Sequence, residues 1–213
     1  MPTLRLLAKL RNLPLALTIA SSFIFSAYAQ KAPAVPAPAS SAAPAPAPPA
    51  APSGHQLFDP IAGVLMGPRC INCHMVDAPH QKDTMVKHAQ LVVRGKDGKG
   101  AATMQCVACH QATNSRDGKV PGVPGWHLAP VSMSWEALTK AQICQSIKDP
   151  SKNGARKDMD AVVEHMRTDP LVLWAWSPGG TRTTPVMSHA EFVKRLEAWA
   201  AAGGPCPGDK PAR

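Results

Sequence analysis

Two five-residue strings, Cys70-Ile71-Asn72-Cys73-His74 and Cys106-Val107-Ala108-Cys109-His110, begin only 36 residues apart. Each is the Cys-x-x-Cys-His pattern through which haem is attached covalently. Two intervening residues let one helical turn offer both thiols to the vinyl groups of a porphyrin edge. The histidine that follows lies beneath the ring and supplies the proximal iron ligand. Two bare Cys-x-x-Cys pairs could also make a zinc knuckle or dithiol redox centres. The 32 residues between these pairs exceed the usual ribbon spacing, and a histidine follows both. The expected cofactors are two haem c groups, on Cys70 and Cys73 with His74 and on Cys106 and Cys109 with His110. Thirty-six residues are too few to wrap the first haem in its own fold. Both haems should therefore share one compact unit.

The flanking segments place that unit outside the cytoplasm. Arg5, Lys9 and Arg11 precede a mostly apolar run from Leu13 to Phe25, and Ala27-Tyr28-Ala29 fits a small-x-small cleavage site. Residues 1–29 thus read as a signal peptide, and the expected compartment is a bacterial periplasm. An uncleaved anchor would be the sole reason to expect a membrane partner. Residues 30–53 are nearly all Ala, Pro, Ser and Lys, a composition that favours extended polyproline conformations and a disordered tether. Removing the leader, with three basic residues and no acid, lowers the formal net charge from +9 to +6. Four ionised propionates would bring the holoprotein to about +2. Nothing in that charge calls for nucleic acid.

Residues 54–213 are expected to be mainly α with extensive loops, because no long alternating strand pattern appears and Gly and Pro interrupt the chain often. A helix is predicted over 56–66, with Pro60 in its first turn. Thr139 and Gln142 make a capping-box pattern ahead of Ile143, Cys144 and Ile147, and Asp149-Pro150 stops that helix. Ser188 and Glu191 repeat the pattern before the stripe Phe192, Val193, Leu196, Trp199, which Gly203-Gly204 ends. A shorter helix is read over 158–167. Four of the six cysteines belong to the haem strings, which leaves Cys144 and Cys206. In an oxidising compartment these are expected to pair.

The sixth position on each iron is the main unknown, because histidine lowers the potential, methionine raises it and an open place admits substrate. The candidates are His88, which returns 14 residues after His74, and His165 and His127 further on. Met133, Met159 and Met187 stand behind them, since a lone methionine is more often core filler. Trp126, Trp135, Trp174, Trp176 and Trp199 are expected to line haem crevices.

The strings around the second motif resemble the cytochrome c family, in which a Pro-containing loop supplies the carbonyl that orients the proximal imidazole. Pro121, Pro124 and Trp126-His127-Leu128 occupy that place. Pro68-Arg69-Cys70-Ile71-Asn72-Cys73-His74, Trp126-His127-Leu128-Ala129-Pro130 and Asp169-Pro170-Leu171-Val172-Leu173-Trp174-Ala175-Trp176 resemble small bacterial dihaem proteins labelled isoquinoline 1-oxidoreductase subunit. That resemblance implies a cytochrome c-like fold and histidines at His88, His127 and His165. It also implies redox-partner proteins, among them a periplasmic dehydrogenase such as a molybdenum hydroxylase. The expected function is periplasmic electron transfer, as a soluble carrier or the electron-exit subunit of a dehydrogenase. The alternative is a small dihaem oxidoreductase, sulfur-oxidising or peroxidase-like, with one ligand-labile haem.

Overall fold

A capping box that outvotes a proline starts the first helix. Ser53 Oγ accepts from Gln56 N at 3.3 Å, and Gln56 Oε1 accepts from Ser53 N at 2.8 Å. Helix α1 therefore runs Gly54–Leu65 with Pro60 inside it, not in its first turn. The computed structural model describes residues 51–210, so the expected leader, and all of the tether but its last three residues, lie outside the described residues.

The remaining helices are α2 (Pro68–Ile71), α3 (Lys140–Lys148), α4 (Met159–Thr168), α5 (Pro170–Trp174) and α6 (His189–Ala201). The Thr139 box caps α3 with both of its bonds. Asp158 caps α4 through Ala161 N at 2.8 Å. Ser188 caps α6 through Glu191 N, while the Glu191 carboxylate turns to Arg195 at 2.8 Å instead of closing the box. Two two-residue antiparallel pairs, β1 (His80–Gln81) with β2 (Val86–Lys87) and β3 (Gly100–Ala101) with β4 (Met104–Gln105), pin the loops between the two motifs. The fold is thus mainly helical with little sheet.

The core forms where α1 packs on α3 and α6, and α6 on α4. Phe58, Ile61 and Leu65 of α1 are buried against Phe192, Leu196 and Trp199 of α6, with the Phe58 and Trp199 rings 5.2 Å apart. Cys144 of α3 and Cys206 beyond α6 form a disulfide with their Cα atoms 5.6 Å apart. Trp199 Nε1 donates to Pro205 O at 2.9 Å, and Lys148 Nζ to Gly204 O at 2.8 Å, so three ties hold the C-terminal turn. Trp199 is consequently a core residue and lines no crevice: the apolar stripe that buries it faces α1.

The long segment 66–138 between α1 and α3 carries both Cys-x-x-Cys-His strings, the first of them beginning in α2. Arg94 holds that segment together by donating to the carbonyls of Met75, Val76 and Ala129. A charged guanidinium on three carbonyls makes strong bonds where few apolar side chains are available to pack.

Candidate functional site: two histidine pairs

Both motif histidines are held by the same device. His74 Nδ1 lies 2.9 Å from Met133 O, and His110 Nδ1 lies 2.8 Å from Pro121 O. A carbonyl can only accept, so each Nδ1 carries the proton and each Nε2 keeps its lone pair for an electrophile. A tryptophan covers one face of each ring. Trp135 stacks on His74 with centroids 3.7 Å apart and planes 11° apart, and Trp126 on His110 at 4.4 Å and 4°. Tautomer and ring orientation are thus both fixed, as a metal-ligating imidazole requires.

The local backbone explains the fit. Trp135 N donates to His74 O at 2.9 Å, so the 133–135 segment is paired to the first motif by main chain as well as by the ring. At the second motif, Asn114 Oδ1 accepts from Gly122 N at 2.8 Å and from Trp174 Nε1 at 3.1 Å. One amide thereby joins the Pro121 loop to α5. Pro121, 11 residues beyond His110, lies on the loop that the sequence placed after the second motif. Met133 O was not visible in the sequence, because it lies 59 residues from the ring it orients.

Each motif histidine has a second histidine nearby. His165, on the last turn of α4, lines with His74 a cavity of ≈ 260 Å3 that also takes in Cys70, Cys73, Trp126, Trp135, Trp174 and Trp176. Burial, with lesser opposition from the Met133 bond, pushes the His74 imidazole down to about 4. Burial and the Arg156 guanidinium push His165 to about 4 as well, against the pull of Asp169. Both rings are therefore neutral near pH 7, the form that binds iron. His88 pairs with the other motif: its ring centroid lies 6.1 Å from that of His110. Desolvation lowers both of these imidazoles too. His127 lines the first cavity, but its Nδ1 bonds within its own loop to Gly125 O at 2.5 Å.

The two sites differ in depth. Burial pushes the Cys70 and Cys73 thiols up to about 12 and about 11. Cys109 is exposed, as is Val107 between the second pair, at 45%. Met133, one of the methionine candidates, is buried at 6% exposure.

The donor set suits a porphyrin better than a bare ion. Among the described residues no three His, Cys, Asp or Glu side chains converge as a free metal would need. A haem iron asks the protein for two ligands, and each motif offers a pair of histidines with its thiols alongside. Trp135 Nε1 and Arg69 Nε are buried without a partner, and both side chains line the first cavity; the Arg69 guanidinium also pairs with Asp83 at 2.6 Å, and an indole and a guanidinium are donors that suit a propionate. The residues present fit two haems. No helix among the described residues is long and apolar enough to cross a membrane. No protein-family model, no curated protein and no solved structure matches the chain.

Proposed function

We propose that the chain is a dihaem c-type cytochrome that carries electrons in a periplasm, as a soluble carrier or as the electron-exit subunit of a dehydrogenase. The observation that carries this reading is the repeated hold on His74 and His110: one carbonyl on Nδ1, one tryptophan on the ring face. A cysteine pair and histidine held so twice in one small unit suits two covalently attached haems. Cys70 and Cys73 would anchor the first, and Cys106 and Cys109 the second. His74 with His165 and His110 with His88 would fill the axial places.

A bound haem c supplies a reversible one-electron iron centre. The chain's own residues do the rest. The carbonyls of Met133 and Pro121 fix which nitrogen donates, and the tryptophans keep water from the rings. The shared contacts of Asn114 hold the two sites at a constant separation. A pair of histidines at each haem would leave no place for substrate, which suits electron transfer. A redox-partner protein would meet the more open second site, where Cys109 and Val107 face solvent.

Intact mass of the exported protein tests the reading. It should exceed the leaderless polypeptide by two haem units that resist acid extraction. Cys70→Ala with Cys73→Ala should leave one haem. A mass showing one haem, none, or bound zinc overturns the reading.

A further inference from the structure

The four histidines differ in what lies beside Nδ1. His74 and His110 give theirs to neutral carbonyls. His88 Nδ1 is buried with no hydrogen-bond partner. His165 Nδ1 alone faces an anion: Asp169 Oδ2 lies 3.4 Å away.

That carboxylate is fixed in place by the chain around it. Asp169 ends α4 and begins α5, and its backbone N–H donates to His165 O at 3.0 Å. Its other oxygen, Oδ1, caps α5 through Leu171 N at 2.9 Å and Val172 N at 3.3 Å. Pro170 follows at the first helical position, where its ring fixes the backbone. One oxygen is thus committed to the helix, and the other lies beside the imidazole as a fixed negative charge.

Resting on the dihaem reading, we infer that Asp169 is the positioning residue that sets the first haem's potential apart from the second's, by polarising His165. A negative charge beside the outer nitrogen of a ligating histidine polarises the ring and raises the basicity of the inner nitrogen. A stronger donor stabilises ferric over ferrous iron. Two opposing influences face the same ring. The cavity is apolar and half-enclosed, which favours the less charged ferrous state, and Arg156 brings a guanidinium to the same wall. Asp169 offsets both. The second haem has no carboxylate on either histidine and no such counterweight. The first haem's affinity for electrons would then be set by a fixed carboxylate beside a neutral imidazole, and the second's by carbonyls and solvent.

The test is a potentiometric titration of the holoprotein, with intact mass confirming two haems in every variant. Asp169→Asn keeps a good helix cap, since Asn and Asp are equivalent there, and removes only the charge. The first haem's midpoint should move up, by about tenfold in the ferrous-to-ferric ratio at fixed potential, and the second's should stay. Arg156→Gln should move the first midpoint down. The low-spin EPR signal of the first haem should change in Asp169→Asn and that of the second should not. Two bound haems whose midpoints ignore Asp169→Asn, or shift together, overturn this inference and leave the dihaem reading standing. A chain without two haems overturns both.

Discussion

His88 faces His110 with ring centroids 6.1 Å apart and planes inclined at 76°. An iron between two imidazole nitrogens, at about 2 Å from each, separates the ring centres by about 6 Å. His88 therefore lies beside the ring of the second motif, although along the chain it is nearer to His74. His88→Ala should open the second haem and His165→Ala the first. Each should give a high-spin signal and rapid carbon monoxide binding at that haem alone. His127→Ala should leave the spectrum unchanged. Rapid carbon monoxide binding by the unaltered protein would move the ligand-labile enzyme to the front.

The same inclination makes a spectroscopic prediction. Nearly perpendicular imidazole planes leave two of the iron d orbitals close in energy. The second haem should therefore give a strongly anisotropic low-spin EPR signal, with one large g value. An ordinary rhombic signal from that haem would show that His88 and His110 do not share its iron in this orientation.

Gly122 sets the carbonyl that orients His110. A Cβ at that position would run into the carbonyl oxygens of Thr113 and Gln111. Gly122→Ala should push the loop outward and carry Pro121 O with it. The expected result is a shifted midpoint at the second haem only, read in the same titration, with thermal stability lowered by about 1–3 kcal/mol.

The Cys144–Cys206 disulfide closes a loop with a sequence separation of 62. Loop entropy puts its contribution at about 4 kcal/mol, less any strain. Replacing both cysteines by Ala should lower stability in that range. Amide exchange should rise most in α6 and the 204–209 turn, and least around Met133 and Pro121. Uniform exchange across the chain would count against a local tie.

The helices were legible wherever a cap and an apolar stripe agreed. Thr139 with Ile143 and Ile147, and Ser188 with Leu196 and Trp199, state their own beginnings and buried faces. The start of α1 was misread because Pro60 drew attention from Ser53 and Gln56, whose two reciprocal bonds weigh more than the one bond a proline removes. The cysteine count gave the disulfide by elimination. The motifs singled out His74 and His110, the two rings that a carbonyl and a tryptophan each hold. What holds them was half visible: Pro121 lies 11 residues from His110, within reach of a local pattern, while Met133 and Trp135 reach His74 only through the tertiary fold. Periodicity cannot say which face of a loop meets which ring. For the same reason the tryptophans could be expected near haem as a group, yet Trp199 could not be told from Trp126 until α6 was packed on α1.

The unequal reach of the two carbonyls orders the events of maturation. The rings and the carbonyl of the second site, His88 through Trp126, nest inside those of the first, which runs from Cys70 to His165. A chain that emerges amino end first has the whole second site in hand while the first still lacks Met133, Trp135 and α4. The outer site closes last, as a clasp over a finished inner one. An error in the late-arriving segment would then cost the buried haem its axial partner and leave the exposed one correctly seated.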